Sequence, residues 1–258
     1  MNEIEKYYNK FNEDKRLKTR HGQVEFFITM KYIKKYLEKF DNPKILDVGA
    51  GTGAYSIALY DMGYDVTACE LVKHNLRVLQ QKNEKIKSYQ MNALNLKKFA
   101  DNSFDITLLL GPLYHLFSEE EKIKALLEAK RVTKPNGIIF VAYVLNDYAI
   151  ITHGFVEGFI IDAIKNKEIS KNFEIFDNIK NLYSFSTIKS ISLLNKKTNL
   201  KRLKIVGVDG ATDYIRPHLN KMNEETFKVF VSYQESICER KDLIGASSHV
   251  IDILQNTK

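Results

Sequence analysis

The stretch Lys44-Ile45-Leu46-Asp47-Val48-Gly49-Ala50-Gly51-Thr52-Gly53 decides the fold. Ile45, Leu46 and Val48 form a short apolar run between Pro43 and glycine, which reads as a buried strand of a parallel sheet and not as a helix. A tight turn follows it. Tyr55 to Met62 then carries helical spacing, and Gly63 stands where a left-handed C-terminal cap belongs. The unit is therefore strand, glycine turn, helix. Glycine suits such a turn because the chain must adopt positive φ and a ligand must approach the backbone closely. The turn also fits a loose G-x-G-x-x-A pattern through Gly49, Gly51 and Ala54, so the glycines alone leave a nicotinamide cofactor and other adenosine ligands open.

Two carboxylates narrow the choice. Asp47 stands two residues before the first glycine. Glu70 ends a second strand, Asp65-Val66-Thr67-Ala68-Cys69-Glu70, at a spacing that suits a bond to ribose hydroxyls. With both in view, "ILDVGAGTGAYSIAL" and "VTACE" resemble motif I and the following acidic site of the class I S-adenosylmethionine-dependent methyltransferases. Within that superfamily the resemblance is to the group of ubiquinone and menaquinone biosynthesis enzymes. It implies an α/β, Rossmann-like fold with a seven-stranded, mostly parallel sheet, helices on both faces and a helical substrate lid. It also implies S-adenosyl-L-methionine as cofactor and S-adenosyl-L-homocysteine as product.

Composition bounds the rest. A chain of 258 residues with 44% hydrophobic content holds one full core with room for a lid. No run approaches the roughly 18 apolar residues of a membrane span, and the opening residues Met1 to Tyr8 carry no export pattern, so a cytoplasmic location is the expectation. Cys69 and Cys238 offer neither metal spacing nor a disulfide framework and read as packing residues; no metal is expected. The net charge of +7 raises an anionic partner as an option. Its one dense cluster, Lys196, Lys197, Lys201, Arg202 and Lys204, lacks interleaved aromatic residues and reads as a solvated helix end.

Taken in order, Phe26, Met30, Ile33, Leu37 and Phe40 mark an amphipathic helix ahead of the first strand. Lys73–Asn83 reads as a helix, Lys87–Met91 as a third strand and Phe104–Leu110 as a fourth. Ser118-x-x-Glu121 is a capping box that opens a helix to about Val132, and the Pro135-Asn136-Gly137 turn precedes a fifth strand, Ile138–Val144. Five strands with four intervening helices are thus expected by residue 145. Beyond it, a helix is expected around Gly154–Ile164, another over Thr187–Lys196 and a third near Glu224–Arg240. Leu203–Val208 and Ser247–Leu254 read as the last two strands, the final one antiparallel as in the family. The chain then divides into a helical and cofactor-binding part at 1–145, a lid insertion at 146–184, and the C-terminal core at 185–258 with a second insertion at 209–246. Insertions of that length above a ligand read as a substrate lid.

The resemblance assigns cofactor contacts to Asp47, Gly49, Ala50, Gly51 and Gly53 in the turn, and to Glu70 and Leu71 after the second strand. It adds Asn92 and Ala93, where the family usually has Asp-Ala at the adenine, and Leu110 and Gly111 in "LLLGPLYHL". Asn92 departs from the pattern but can still offer a donor and an acceptor to an adenine edge. Tyr7, Arg20 and His21 precede motif I, where such enzymes often close over the methionine end. Methyl transfer needs donor and acceptor held in line and water excluded, and a general base where the acceptor holds its proton. The candidate bases are His115, His153, His218, Asp147 and Asp209. His115 comes first, because its motif position sets it at the end of the fourth strand. Tyr114, Tyr143 and Tyr214 are shaping residues, and Arg216 and His218 could face an anionic substrate.

The leading expectation is methyl transfer to a small molecule. The positive charge supports a nucleic-acid methyltransferase as the alternative, although the Pro-Pro-aromatic signature of adenine N6 enzymes and a placed cysteine nucleophile are both missing. A nicotinamide-dependent oxidoreductase lacks its Tyr-x-x-x-Lys pair. A binding protein that keeps the fold without turnover is the remaining class.

Overall fold

The computed structural model describes residues 19–178 and 182–257; Tyr7 lies outside them. Helix α1 (Arg20–Leu37) is capped by Thr19, whose side chain accepts the Gly22 N–H. Of the stripe expected from the sequence, Met30, Ile33 and Leu37 are buried, Phe26 is half-buried and Phe40 lies beyond the end of the helix; Val24 and Ile28 complete the buried face. Then come β1 (Lys44–Val48), α2 (Ala54–Asp61), β2 (Asp65–Glu70), α3 (Lys73–Lys82), β3 (Lys87–Gln90) and β4 (Phe104–Leu109). Helix α4 (Glu119–Val132) opens on the Ser118–Glu121 capping box and runs into β5 (Thr133–Leu145). After it lie α5 (Asn146–Ala149), α6 (Ile160–Lys165), β6 (Phe185–Ser186), α7 (Ile188–Thr198) and β7 (Leu200–Gly207). Last are α8 (Arg216–Leu219), α9 (Glu224–Ile237) and β8 (His249–Asn256).

The strands form one sheet in the order β3-β2-β1-β4-β5-β8-β7, with the short β6 paired to β5 off that path. Strands β1 to β6 are mutually parallel and β8 is antiparallel to both β5 and β7. The two faces are visible in β5, where Ile138 and Phe140 pack towards α1 while Ile139 and Val141 pack towards α4 and α7. Each such side chain contributes roughly 1.5–3 kcal/mol when taken from water, so the period-2 alternation fixes which helices lie on which side.

Four expectations are corrected. The link from β3 to β4 holds turns and no helix, so three helices, not four, separate the first five strands. Strand β5 begins at Thr133, and the Pro135-Asn136-Gly137 segment is absorbed as a bulge against Phe104–Ile106, with Asn136 left-handed. The helix expected around Gly154–Ile164 is a π-helical turn, Ile150–Val156, and then α6, separated at Gly158, which has φ +84. The pair β6 was not read at all, because two residues carry no periodicity.

Three of the five residues of the basic cluster are held in ion pairs. Arg202 grips the fully buried Asp252 through both carboxylate oxygens, at 2.6 and 2.8 Å, while Asn195 donates to the same group at 2.6 Å. Lys197 pairs with Glu119 and Lys204 with Glu239. Burial pushes the Asp252 carboxyl up and Arg202 pulls it back. Arg202→Ala strands that charge, and the expected loss in urea denaturation is about 3–5 kcal/mol; a loss below about 1 kcal/mol would mean that Asp252 does not depend on Arg202.

Candidate functional site

In a sheet of this order the carboxyl ends of β3, β2, β1 and β4 lie side by side, which is where open α/β sheets take their ligands. The residues assigned from the sequence fall along that edge in the same succession: Asn92 after β3, Glu70 ending β2, the glycine turn after β1, and Gly111 after β4. Gly49, Gly51 and Gly53 all have positive φ. A Cβ on Gly49 would lie 2.7 Å from Pro112 Cγ, so the turn is pressed against the segment that follows β4. Only glycine satisfies both demands.

Glu70 ties the turn down. One carboxylate oxygen accepts the Gly51 N–H at 2.8 Å and the other accepts the Val72 N–H at 2.7 Å. Burial pushes its carboxyl up and these two bonds oppose the shift. Gly49 and Ala50 add N–H bonds to the Cys69 carbonyl at 2.8 and 3.0 Å. Asn92 is exposed, with its side-chain oxygen accepting from Leu94 N–H, and Ala93 is buried beside it. Leu110, Gly111 and Leu71 are half-buried around the same edge, as is Ala50. An acidic residue, a glycine cradle and an exposed amide in this sequence fit an adenosine ligand laid across the strand ends.

Three assigned residues have other partners. Asp47 sits beneath the turn, 2% exposed, and accepts from Ser56 Oγ at 2.6 Å; it shapes the cradle from below. Arg20 pairs with Glu224 at 2.7 Å and covers the Phe227 ring at 4.4 Å, which locks α1 to α9. His115 donates from Nδ1 to the Leu182 carbonyl at 2.9 Å and packs on Tyr114 and Tyr183. Burial pushes its imidazole down to about 4, so it is neutral at physiological pH and a weak base. The bond to the Leu182 carbonyl ties the turn after β4 to the chain just ahead of β6.

A cleft opens beside this edge. Tyr114, Tyr148, Tyr183 and Phe185 form aromatic walls. At one end lie Asp209, Asp213, Arg216 and His249. Asp209 is buried and accepts from Ser247 Oγ, Ser248 Oγ, the His249 N–H and His249 Nδ1, the last at 2.6 Å. Asp213 accepts from Arg216 and from Ser248 Oγ, and Arg216 and His249 hold its carboxyl down against burial. Of the bases considered from sequence, Asp209 is here but fully engaged, His153 lines the cleft paired to Glu157, and Asp147 and His218 are exposed. His249 and Asp213 were missed. The readable signal was Ser247-Ser248-His249 at the start of an antiparallel strand, which must begin at the ligand end of the sheet.

The fold and the succession of residues along this edge are those that the resemblance to class I methyltransferases implies. Residues 46–141 match the methyltransferase domain family. Over 99 residues, 38% of each chain, the sequence is 40% identical to the demethylmenaquinone methyltransferase of Paenarthrobacter aurescens. It is 30% identical over 123 residues to a glycine/sarcosine N-methyltransferase of Parasynechococcus marenigrum, covering 46% of this chain and 42% of that one. A Thermotoga maritima structure, described as an S-adenosylmethionine-dependent methyltransferase and possible histamine N-methyltransferase, superposes over 98% of this chain and 97% of its own. Its TM-score is 0.59 at 19% identity. The match over residues 46–141 agrees with the resemblance read from motif I. The chain spans about two fifths of the length of the curated relatives it matches.

Burial pushes the Asp47 carboxyl from its ordinary 3.8 up to about 6. A raised folded-state value means the contribution to stability is whole below about pH 3.8 and lost as pH rises through 6. Asp47→Asn keeps the Ser56 bond without the charge. Its stability relative to the native chain should rise by roughly 2–3 kcal/mol between pH 4 and pH 7.5 in urea denaturation; a pH-independent difference would contradict the assignment.

Proposed function

We propose that the chain transfers the methyl group of S-adenosylmethionine to a small-molecule acceptor held in the aromatic-walled cleft, by in-line displacement. The observation that carries this reading is the adjacency of the two sites. Tyr114 lines the cleft, and its hydroxyl donates to the Leu110 carbonyl at 3.2 Å, within the segment that packs on the glycine turn. An acceptor in the cleft thus meets a cofactor over the turn. The cofactor supplies an activated methyl; the chain holds the partners in line and excludes water.

The segments at 146–184 and 209–246 act as the lid over the core formed by 1–145 and 185–258. Val144 pairs with His249 and Gly207 with Val250, so both segments leave from one end of the sheet. Lys122, itself buried, donates to Asp177 and Ser184 and pins the first segment to α4. The names of the curated relatives, which act on demethylmenaquinone and on glycine or sarcosine, favour small acceptors. A nucleic-acid acceptor draws its support from net charge, and three of the five clustered cations are held in ion pairs.

The test is to incubate purified protein with methyl-labelled S-adenosylmethionine and a bacterial extract, then separate small molecules, nucleic acid and protein. Label in the small-molecule fraction is expected. Label in nucleic acid would overturn the choice of acceptor class.

A further inference from the structure

More than half of the exposed large apolar side chains among the described residues fall in the first insertion. Over residues 151–178 only Gly154 and Ile160 are buried, yet Phe155, Val156, Phe159, Ile161 and Phe176 are between 52% and 77% exposed. These side chains belong to one knitted unit. The Phe159 N–H donates to the His153 carbonyl at 3.3 Å, which folds α6 back onto the π-helical turn, and a Cβ on Gly154 would meet Ile160 Cδ1 at 3.2 Å. The Glu168 N–H donates to the Ala163 carbonyl and the Phe176 N–H to the Glu168 carbonyl, each at 2.9 Å, so the hairpin closed by the Ile169–Ile175 bridge lies against the end of α6.

The ties of this unit to the core are mainly polar. Asn146 donates to the Phe173 carbonyl and accepts the Ile175 N–H, both at 2.9 Å, and Lys122 holds Asp177. Ordering a residue costs roughly 1–2 kcal/mol, whereas burying one large apolar side chain returns roughly 1.5–3 kcal/mol, so Ile160 alone does not hold the segment. With an aromatic side chain offering roughly 150–250 Å², the five exposed side chains leave on the order of 500 Å² in water. That exceeds the few hundred Å² a monomer ordinarily leaves in one apolar patch and is more than half of the about 800 Å² that each partner buries in a standard interface.

The charges on the unit select the occupant. Asp177 is paired with Lys122, and Glu157 is bonded to His153. Lys165, Lys167 and Lys171 then stand against Asp162, Glu168 and Glu174, and all six are exposed. Such a balance offers no surplus of cations to an anionic bilayer, and it would carry three carboxylates towards the lipid. Across a two-fold axis the same set complements itself, because the lysines of one copy meet carboxylates of the other.

We propose that this face of the first insertion is the contact between two copies of the chain related by a two-fold axis, with the apolar side chains at its centre and the lysines and carboxylates at its rim. The pairing supplies the burial that the insertion lacks within one chain. It also steadies one wall of the cleft, since Tyr148 at the head of the same segment lines it. The dimer goes beyond the methyltransferase reading and does not depend on it.

Sedimentation of the full chain over a concentration series tests the contact, with far-UV circular dichroism confirming that each variant is folded. The native chain should sediment at twice the mass of one chain and dissociate on dilution. Phe155→Asp with Phe159→Asp should weaken association about 100-fold or more, while Val229→Asp, exposed on α9, should leave it within twofold. Two charge variants test the symmetry. One carries Lys165→Glu, Lys167→Glu and Lys171→Glu, and the other carries Asp162→Lys, Glu168→Lys and Glu174→Lys. Each alone should be a monomer, and an equimolar mixture should form a heterodimer. Amide hydrogen exchange over residues 146–178 should be slower in the native dimer than in the Phe155→Asp, Phe159→Asp monomer. A native chain that stays monomeric at every concentration, a dimer that survives the paired phenylalanine substitutions, or charge variants that do not associate when mixed would each overturn the proposal. So would flotation of the native chain with phosphatidylcholine–phosphatidylglycerol vesicles that Phe155→Asp with Phe159→Asp abolishes, which would assign the face to a lipid surface.

Discussion

The two bonds that Glu70 accepts, from Gly51 in the glycine turn and from Val72 at the head of α3, hold the ligand edge of the sheet together. A turn with three left-handed glycines has little stiffness of its own, since glycine loses more backbone freedom on ordering than any other residue. A buried carboxylate with two N–H donors fixes it, with Asp47 and Ser56 bracing it from beneath and Pro112 from the side. Strand order does the remainder. Placing β1 between β2 and β4 brings the turn, Glu70 and Gly111 onto one edge without any side chain having to reach across the sheet.

The antiparallel β8 sets the second half of the site. Because it runs against β5 and β7, its first residues lie at the end of the sheet where the parallel strands finish, and the chain preceding it must arrive there. That single reversal delivers His249 beside Tyr114 and brings Asp209, at the far side of the same connection, under the imidazole. It also concentrates acidic groups in the cleft of a basic protein. The surface lysines and arginines that give the chain its charge are in part taken up by Glu119, Asp252 and Glu239, away from the cleft.

Much of this was legible because alternating apolar runs and capping residues act locally. β1, β2 and β4 and the capping box of α4 were readable from neighbours within a few positions. The failures share a physical cause. The missing helix between β3 and β4, the bulge at Pro135-Asn136-Gly137 and the π-helical start of the lid are settled by tertiary packing and not by propensity. The placing of His115 and His249 has the same origin. A motif position sets His115 near the mouth, while burial lowers its imidazole and its Nδ1 is bonded to the Leu182 carbonyl. His249 carries no motif, and its place depends on strand direction and on an aspartate 40 residues earlier.

We propose Glu70, which accepts the Gly51 N–H, as the residue that also meets the cofactor ribose. Calorimetric titration of S-adenosylhomocysteine into the native chain and Glu70→Ala measures that directly. Loss of a charged hydrogen-bond acceptor should weaken binding by about 1.5–3 kcal/mol, or roughly ten- to 150-fold. Unchanged affinity in a variant that remains folded would remove Glu70 from the site and contradict the arrangement described.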